Sequence, residues 1–123
     1  MQGQVTLEGL KVKLGLEHPL TLSCAMNVAS ALVESGRSED AEKLERKTLQ
    51  QLSKVLGGEH PDTLFCAGNL AATQRELRRF EEAKELRDRT VATMERVLGP
   101  EHPQIAFVKS WRRTNRDLEP QPA

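Results

Sequence analysis

Three histidines, His18, His60 and His102, each stand between a glutamate (Glu17, Glu59, Glu101) and a proline (Pro19, Pro61, Pro103). Together with Cys24 and Cys66 they are the side chains of this chain whose types suit metal binding or nucleophilic chemistry. A zinc site needs its ligands to converge to about 2.0–2.2 Å from one ion. Here each Glu-His belongs to its own copy of a longer phrase, Leu-Gly-x-Glu-His-Pro, at Leu14 to Pro19, Leu56 to Pro61 and Leu98 to Pro103. Copies 42 residues apart are displaced by a whole structural unit. The reading is therefore no metal centre and a turn-shaping role for each Glu-His. Neither cysteine has a neighbouring base to activate it, and no glycine-rich phosphate loop is present, so catalysis and cofactors are not expected.

The elements that position these residues are repeats. Residues 15–56 align without gaps on 57–98, with 18 of 42 positions identical. Ahead of them, residues 6–14 echo 48–56, as the last part of a unit whose first part is absent, and residues 99–116 open a further unit. Fixed-period repeats bury their apolar faces by stacking on their neighbours, which sets the architecture of the whole chain. The expected organisation is one array over 1–118: a truncated repeat (1–14), full repeats (15–56 and 57–98), a terminal capping helix (99–118) and a disordered tail (119–123).

Charge narrows the class of partner. With 18 basic and 18 acidic side chains the formal charge is zero, which gives no general attraction to nucleic acid or an anionic membrane. No apolar run approaches the roughly 18 residues of a membrane span, and no secretory signal opens the chain, so a cytoplasmic protein is expected. Cys24 and Cys66 occupy one repeat position on different helices, and they read as small core or groove residues rather than a disulfide.

Each unit reads as two antiparallel helices, giving an all-α solenoid of about six: 4–14, 19–34, 38–56, 61–77, 80–98 and 103–116. Proline opens each first helix at the position where a missing N–H costs nothing. Leu22, Ala25, Ala29 and Leu32 form one stripe on the first of these, and Gly36 can take the left-handed conformation that ends it. Ser38 is the expected cap of the following helix, whose stripe is Ala41, Leu44, Thr48, Leu52, Val55 and Leu56. In the next unit Arg78 replaces Gly36, and that turn has lost its best residue.

Leu-Gly-x-Glu-His-Pro-x-Thr-Leu, then Asn-x-Ala (Asn27 to Ala29, Asn69 to Ala71), then Arg-x-Glu-x-Ala (Arg37 to Ala41, Arg79 to Ala83) resembles the 42-residue tetratricopeptide repeat (TPR) of kinesin light chains. The resemblance covers residues 4–116. It implies a right-handed superhelix of helix pairs whose first helices line a concave groove for a peptide or another protein. In such repeats the asparagine faces the groove, which nominates Asn27 and Asn69, with Ser23, Phe65, Phe107 and Trp111 beside them by register. An alternative has the two asparagines bonded within the stack. Where the kinesin pattern presents groove arginines, this chain has Leu52 and Met94, which suit either an apolar groove or ordinary core. An apolar or amphipathic segment then fits better than the acidic, tryptophan-containing peptides of kinesin light chains.

The expected function is a non-catalytic scaffold that binds a peptide or partner segment in this groove, as part of a larger protein. Two alternatives are a sensor arm of a nucleotide-switched signalling protein and a self-assembling module. The leading helix, 4–14, would expose Val5, Leu7, Leu10, Val12 and Leu14 and favour a homodimer. At the other end Lys109, Arg112, Arg113 and Arg116 read as a solvated cap that stops the stack, with a basic docking patch as the alternative. Trp111 either closes the groove end or anchors a ligand.

Overall fold

The computed structural model describes residues 19–112, which contain five helices and no strand: α1 (Pro19–Glu34), α2 (Ser38–Leu56), α3 (Pro61–Glu76), α4 (Phe80–Leu98) and α5 (Pro103–Lys109). The leading helix expected at 4–14, the dimer contact through it and the tail at 119–123 lie outside these residues. Each helix packs on the next, and the first helices of successive units also touch, α1 with α3 and α3 with α5. The second helices, α2 and α4, stand further apart and are bridged by side chains. Arg79 reaches Glu39 at 3.1 Å and Glu42 at 3.4 Å, and Arg46 approaches Glu82 at 4.0 Å. Closer spacing of the first helices puts them on the inner side of the stack.

The punctuation follows from backbone chemistry. Gly57 (φ 95°, ψ 154°) and Gly99 (φ 93°, ψ 145°) end α2 and α4 in a region that is essentially glycine's alone, which explains the Gly of the repeated phrase. The first helices close differently, with a left-handed residue after the last turn. Gly36 (φ 80°) does this for α1 and Arg78 (φ 65°) for α3. The following N–H then reaches back to the helix, Arg37 to the Leu32 carbonyl at 2.7 Å and Arg79 to that of Gln74 at 2.9 Å. Both are the Schellman closure.

Trp111 (φ 64°) makes the same closure on α5, where the Arg112 N–H meets the Phe107 carbonyl at 2.8 Å. The Ser110 hydroxyl assists by donating to the Ala106 carbonyl at 2.8 Å, a side-chain bond that competes with helix continuation. The last helix therefore stops at Lys109 rather than at residue 116. Ser38 does not cap α2 as expected. It is the first helical residue of α2, the N-cap is Arg37, and no side-chain cap bond forms there.

The core runs between the layers through Leu22, Met26, Leu52, Leu64, Phe65, Cys66, Val91, Met94, Ile105 and Val108. Alanines at the helix crossings, Ala29, Ala41, Ala71 and Ala83, are fully buried and allow backbones to approach. Central α3 is covered on every side, with each residue from Thr63 to Gln74 buried. A helix enclosed in this way shows no polar face in its sequence. Val55, expected on the apolar stripe of α2, drifts out to 39% exposure, and Val97 at the matching position of α4 to 38%.

Candidate interaction surface

The repeated Glu-His-Pro builds a turn. His60 Nδ1 accepts the Asp62 N–H at 3.1 Å, and His102 Nδ1 accepts the Gln104 N–H at 3.1 Å. Each imidazole thus caps its own helix, satisfying one of the orphan donors of the first turn. Thr63, two residues after the proline, donates its hydroxyl to the Gly57 carbonyl at 2.8 Å. Glu59 accepts from Arg96 at 2.6 Å, tying the turn to the last turn of α4. That hydrogen bond, with the charge behind it, holds the Glu59 carboxyl below the usual range and pushes the Arg96 guanidinium up. Cys24 and Cys66 are buried, unbridged thiols. Burial pushes the Cys24 thiol up, and Cys66 Sγ lies 3.7 Å from the Glu45 carbonyl oxygen as its donor.

The register positions expected to face the groove divide sharply by accessibility. Asn69 is only 1% exposed, inside a helix buried on all sides, so it does not face a wet surface as expected. Phe65 is buried at 7%, and Leu52 and Met94 at 1% and 0% belong to the core. All four are packing interior. For Phe65 and Asn69 the reason is that a one-sided stripe describes an edge helix, whereas α3 has neighbours on both flanks and below; Leu52 and Met94 sit on the core-facing stripes of α2 and α4. Ser23 and Asn27 on α1, Phe107 on α5 and Trp111 just beyond it, at the same register positions in the outer units, are half-buried. The inner face is accessible at its two ends and closed at its centre.

A Cβ on Gly68 would meet Val108 Cγ2 at 2.8 Å, so the glycine is what lets α5 lie against α3. One unit earlier the matching positions are Met26 and Cys66, both buried in the core. The order of large and small is thus reversed between the two pairs of positions.

Trp111 is held rather than loose. The Arg87 guanidinium carbon sits 4.5 Å from its ring centroid and that of Arg75 at 5.3 Å, both cation–π distances. Beside it opens a hollow of about 500 Å³ at the carboxyl ends of α1 and α3, lined also by Val33, Ala72, Arg78 and Phe80. Phe80 is 58% exposed, the most exposed large apolar side chain among the described residues. Sequence reasoning singled out Trp111 and missed Arg75, Phe80 and Arg87. The available signal was departure from the repeat, since these positions hold Val33, Ser38 and Glu45 one unit earlier.

No helix among the described residues is long and apolar enough to cross a membrane. No curated protein gives a significant match to the chain. A family model described as tetratricopeptide repeat matches residues 21–86, from the first turn of α1 through α2 and α3 into the start of α4. Stacked helix pairs, alanine crossings and proline-opened first helices agree with that match, and the chain belongs to the tetratricopeptide repeat family.

Proposed function

We propose that this chain is a non-catalytic scaffold of the kinesin-light-chain-like type, holding a segment of a partner protein along the inner face formed by α1, α3 and α5. The observation that carries the reading is the recurrence of equivalent, accessible positions on the first helices at the two ends of the stack. Ser23 on α1 recurs as Phe107 on α5, and both, together with Asn27, remain reachable. The 42-residue period and the Asn-x-Ala signature support the subtype. Two buried thiols left unbridged suit a reducing compartment, which supports a cytoplasmic setting.

The partner contacts the two accessible ends of the face. Photo-crosslinking side chains placed at Ser23, Asn27 or Phe107 should capture the partner, whereas the same groups at Lys43 on α2 or Lys84 on α4 should not. Equal capture from both sets would refute the reading.

A further inference from the structure

We propose that the hollow between Arg75, Arg78, Phe80 and Trp111 receives a partner segment that sets a single aspartate or glutamate beside an aliphatic side chain. The inference rests on the scaffold reading above and adds a second contact, at the carboxyl ends of α1 and α3 rather than along the inner face.

The chemistry is set by what surrounds the space. Arg75 and Arg78 line it, and neither enters an ion pair among the described residues, although acidic side chains elsewhere on the surface are paired. A guanidinium that lies over an aromatic ring still has its N–H edge to offer, and that edge matches a carboxylate in two parallel hydrogen bonds. Arg75 over Trp111 is such a group, pre-positioned at 5.3 Å from the ring centroid. Phe80, Val33 and Ala72 supply an apolar wall next to it. The hollow also contains Glu76 and faces the negative carboxyl ends of two helices. These oppose any negative charge, so a carboxylate is held only where it meets the arginines directly, and a run of acidic residues is disfavoured.

The repeat provides an internal comparison. One unit earlier, the positions of Arg75, Arg78, Phe80 and Arg87 hold Val33, Gly36, Ser38 and Glu45, and the position of Trp111 holds Asn69. Departures toward arginine and aromatic side chains thus converge on one place. Arg78 occupies left-handed backbone that glycine adopts in the preceding unit, and strain of this kind persists where a side chain is needed.

Trp111 is the sole tryptophan and reports on the site directly. The probe is an acetylated, amidated peptide, Gly-Ser-Leu-Asp-Leu-Ser-Gly, titrated into the full chain. A saturable change in emission is expected, weakened about tenfold or more when the peptide's Asp is replaced by Asn or by a run of three Asp. The combined variant Arg75→Gln, Arg78→Gly should lose the preference for Asp over Asn while its circular dichroism stays unchanged. Equal response to the Asp and Asn peptides, a preference retained in the arginine variant, or no response at all would each overturn the proposal. Charge reversal at Asp117 and Glu119 tests the chain's own carboxylates as the occupant. If that change alone shifts Trp111 emission and is required for peptide binding, the hollow belongs to the chain's own terminus and the proposal falls. Crosslinking at Ser23 and Phe107 reads the inner face independently, so either result stands without the other.

Discussion

Thr73 Oγ1 donates to the Glu45 carboxylate at 2.6 Å, and both side chains are at least 99% buried. The bond ties α3 of one unit to α2 of the unit before it. A buried carboxylate must be met by donors, and removing one leaves part of its desolvation cost uncompensated. Thr73→Val keeps the shape of the side chain and deletes the donor. It should destabilise the fold by about 1–3 kcal/mol, whereas Thr73→Ser should retain most of the stability. Urea unfolding followed by circular dichroism separates the two variants.

The close approach of α5 to α3 predicts a change of sign. Gly68→Ala gains about 1 kcal/mol of helix propensity, but its new methyl meets Val108 Cγ2 at 2.8 Å, and overpacking costs about 1–3 kcal/mol. The clash should win in the native background. With Val108→Ala already in place the same substitution should stabilise. A double-mutant cycle measured by thermal unfolding gives the coupling, and additive effects would remove the clash from the account.

Arg78 sits in left-handed backbone at φ 65°. An L-residue there costs about 1–2 kcal/mol, of which glycine returns a part because its unfolded chain is freer by about 0.5–1 kcal/mol. Arg78→Gly should therefore raise stability by roughly 0.5–1 kcal/mol, seen as a higher Tm. The reverse holds at Gly57, where φ 95° and ψ 154° exclude side chains and Gly57→Ala should cost about 1–3 kcal/mol.

The histidine of the repeated phrase is predicted to act as a cap. His60→Ala removes the acceptor for the Asp62 N–H and should cost about 0.5–2 kcal/mol. Asn or Asp at this position supplies an equivalent oxygen and should recover most of the loss. Chemical denaturation of the three variants checks the order.

Glu59 carries a pH signature. Its folded carboxyl titrates below the ordinary value of 4.5, first because Arg96 donates a hydrogen bond to it. A lowered folded pKa gives stability that is present above the unfolded value and lost as pH falls through the folded one. Wild type should exceed Glu59→Gln in Tm at neutral pH, and the gap should close below about pH 4.5 and shrink with added salt. A gap that is constant from pH 7 to pH 3 would exclude the ion pair as its source.

Helix positions were legible because their boundaries are chemical: proline at Pro61 and Pro103, glycine at Gly36, Gly57 and Gly99. The bounds of α1, α2 and α4 agree with the periodicity to the residue. What the sequence hid is whatever depends on having two neighbours. Asn69 reads as a polar residue off an apolar stripe, yet α3 is enclosed and its polar side chains are interior. Glu45, a charged side chain that no stripe includes, is 1% exposed beneath Thr73. The early end of α5 escaped because tryptophan is not a stop signal, and only its positive φ reveals the closure. At the surface hollow, Trp111 was visible as a singular residue, but Arg75 and Phe80 come near it only through packing of three helices.

The exchange of Met26 and Cys66 for Gly68 and Val108 at matching positions bears on how such an array can evolve. A glycine knob paired with a cysteine leaves a void, and a methionine paired with a valine collides. The units are therefore keyed to their places like adjacent stones in an arch. Copying the first unit into the place of the second would set a methionine where Gly68 lies against Val108, so a change in the order of repeats calls for the facing residues to be recut as well.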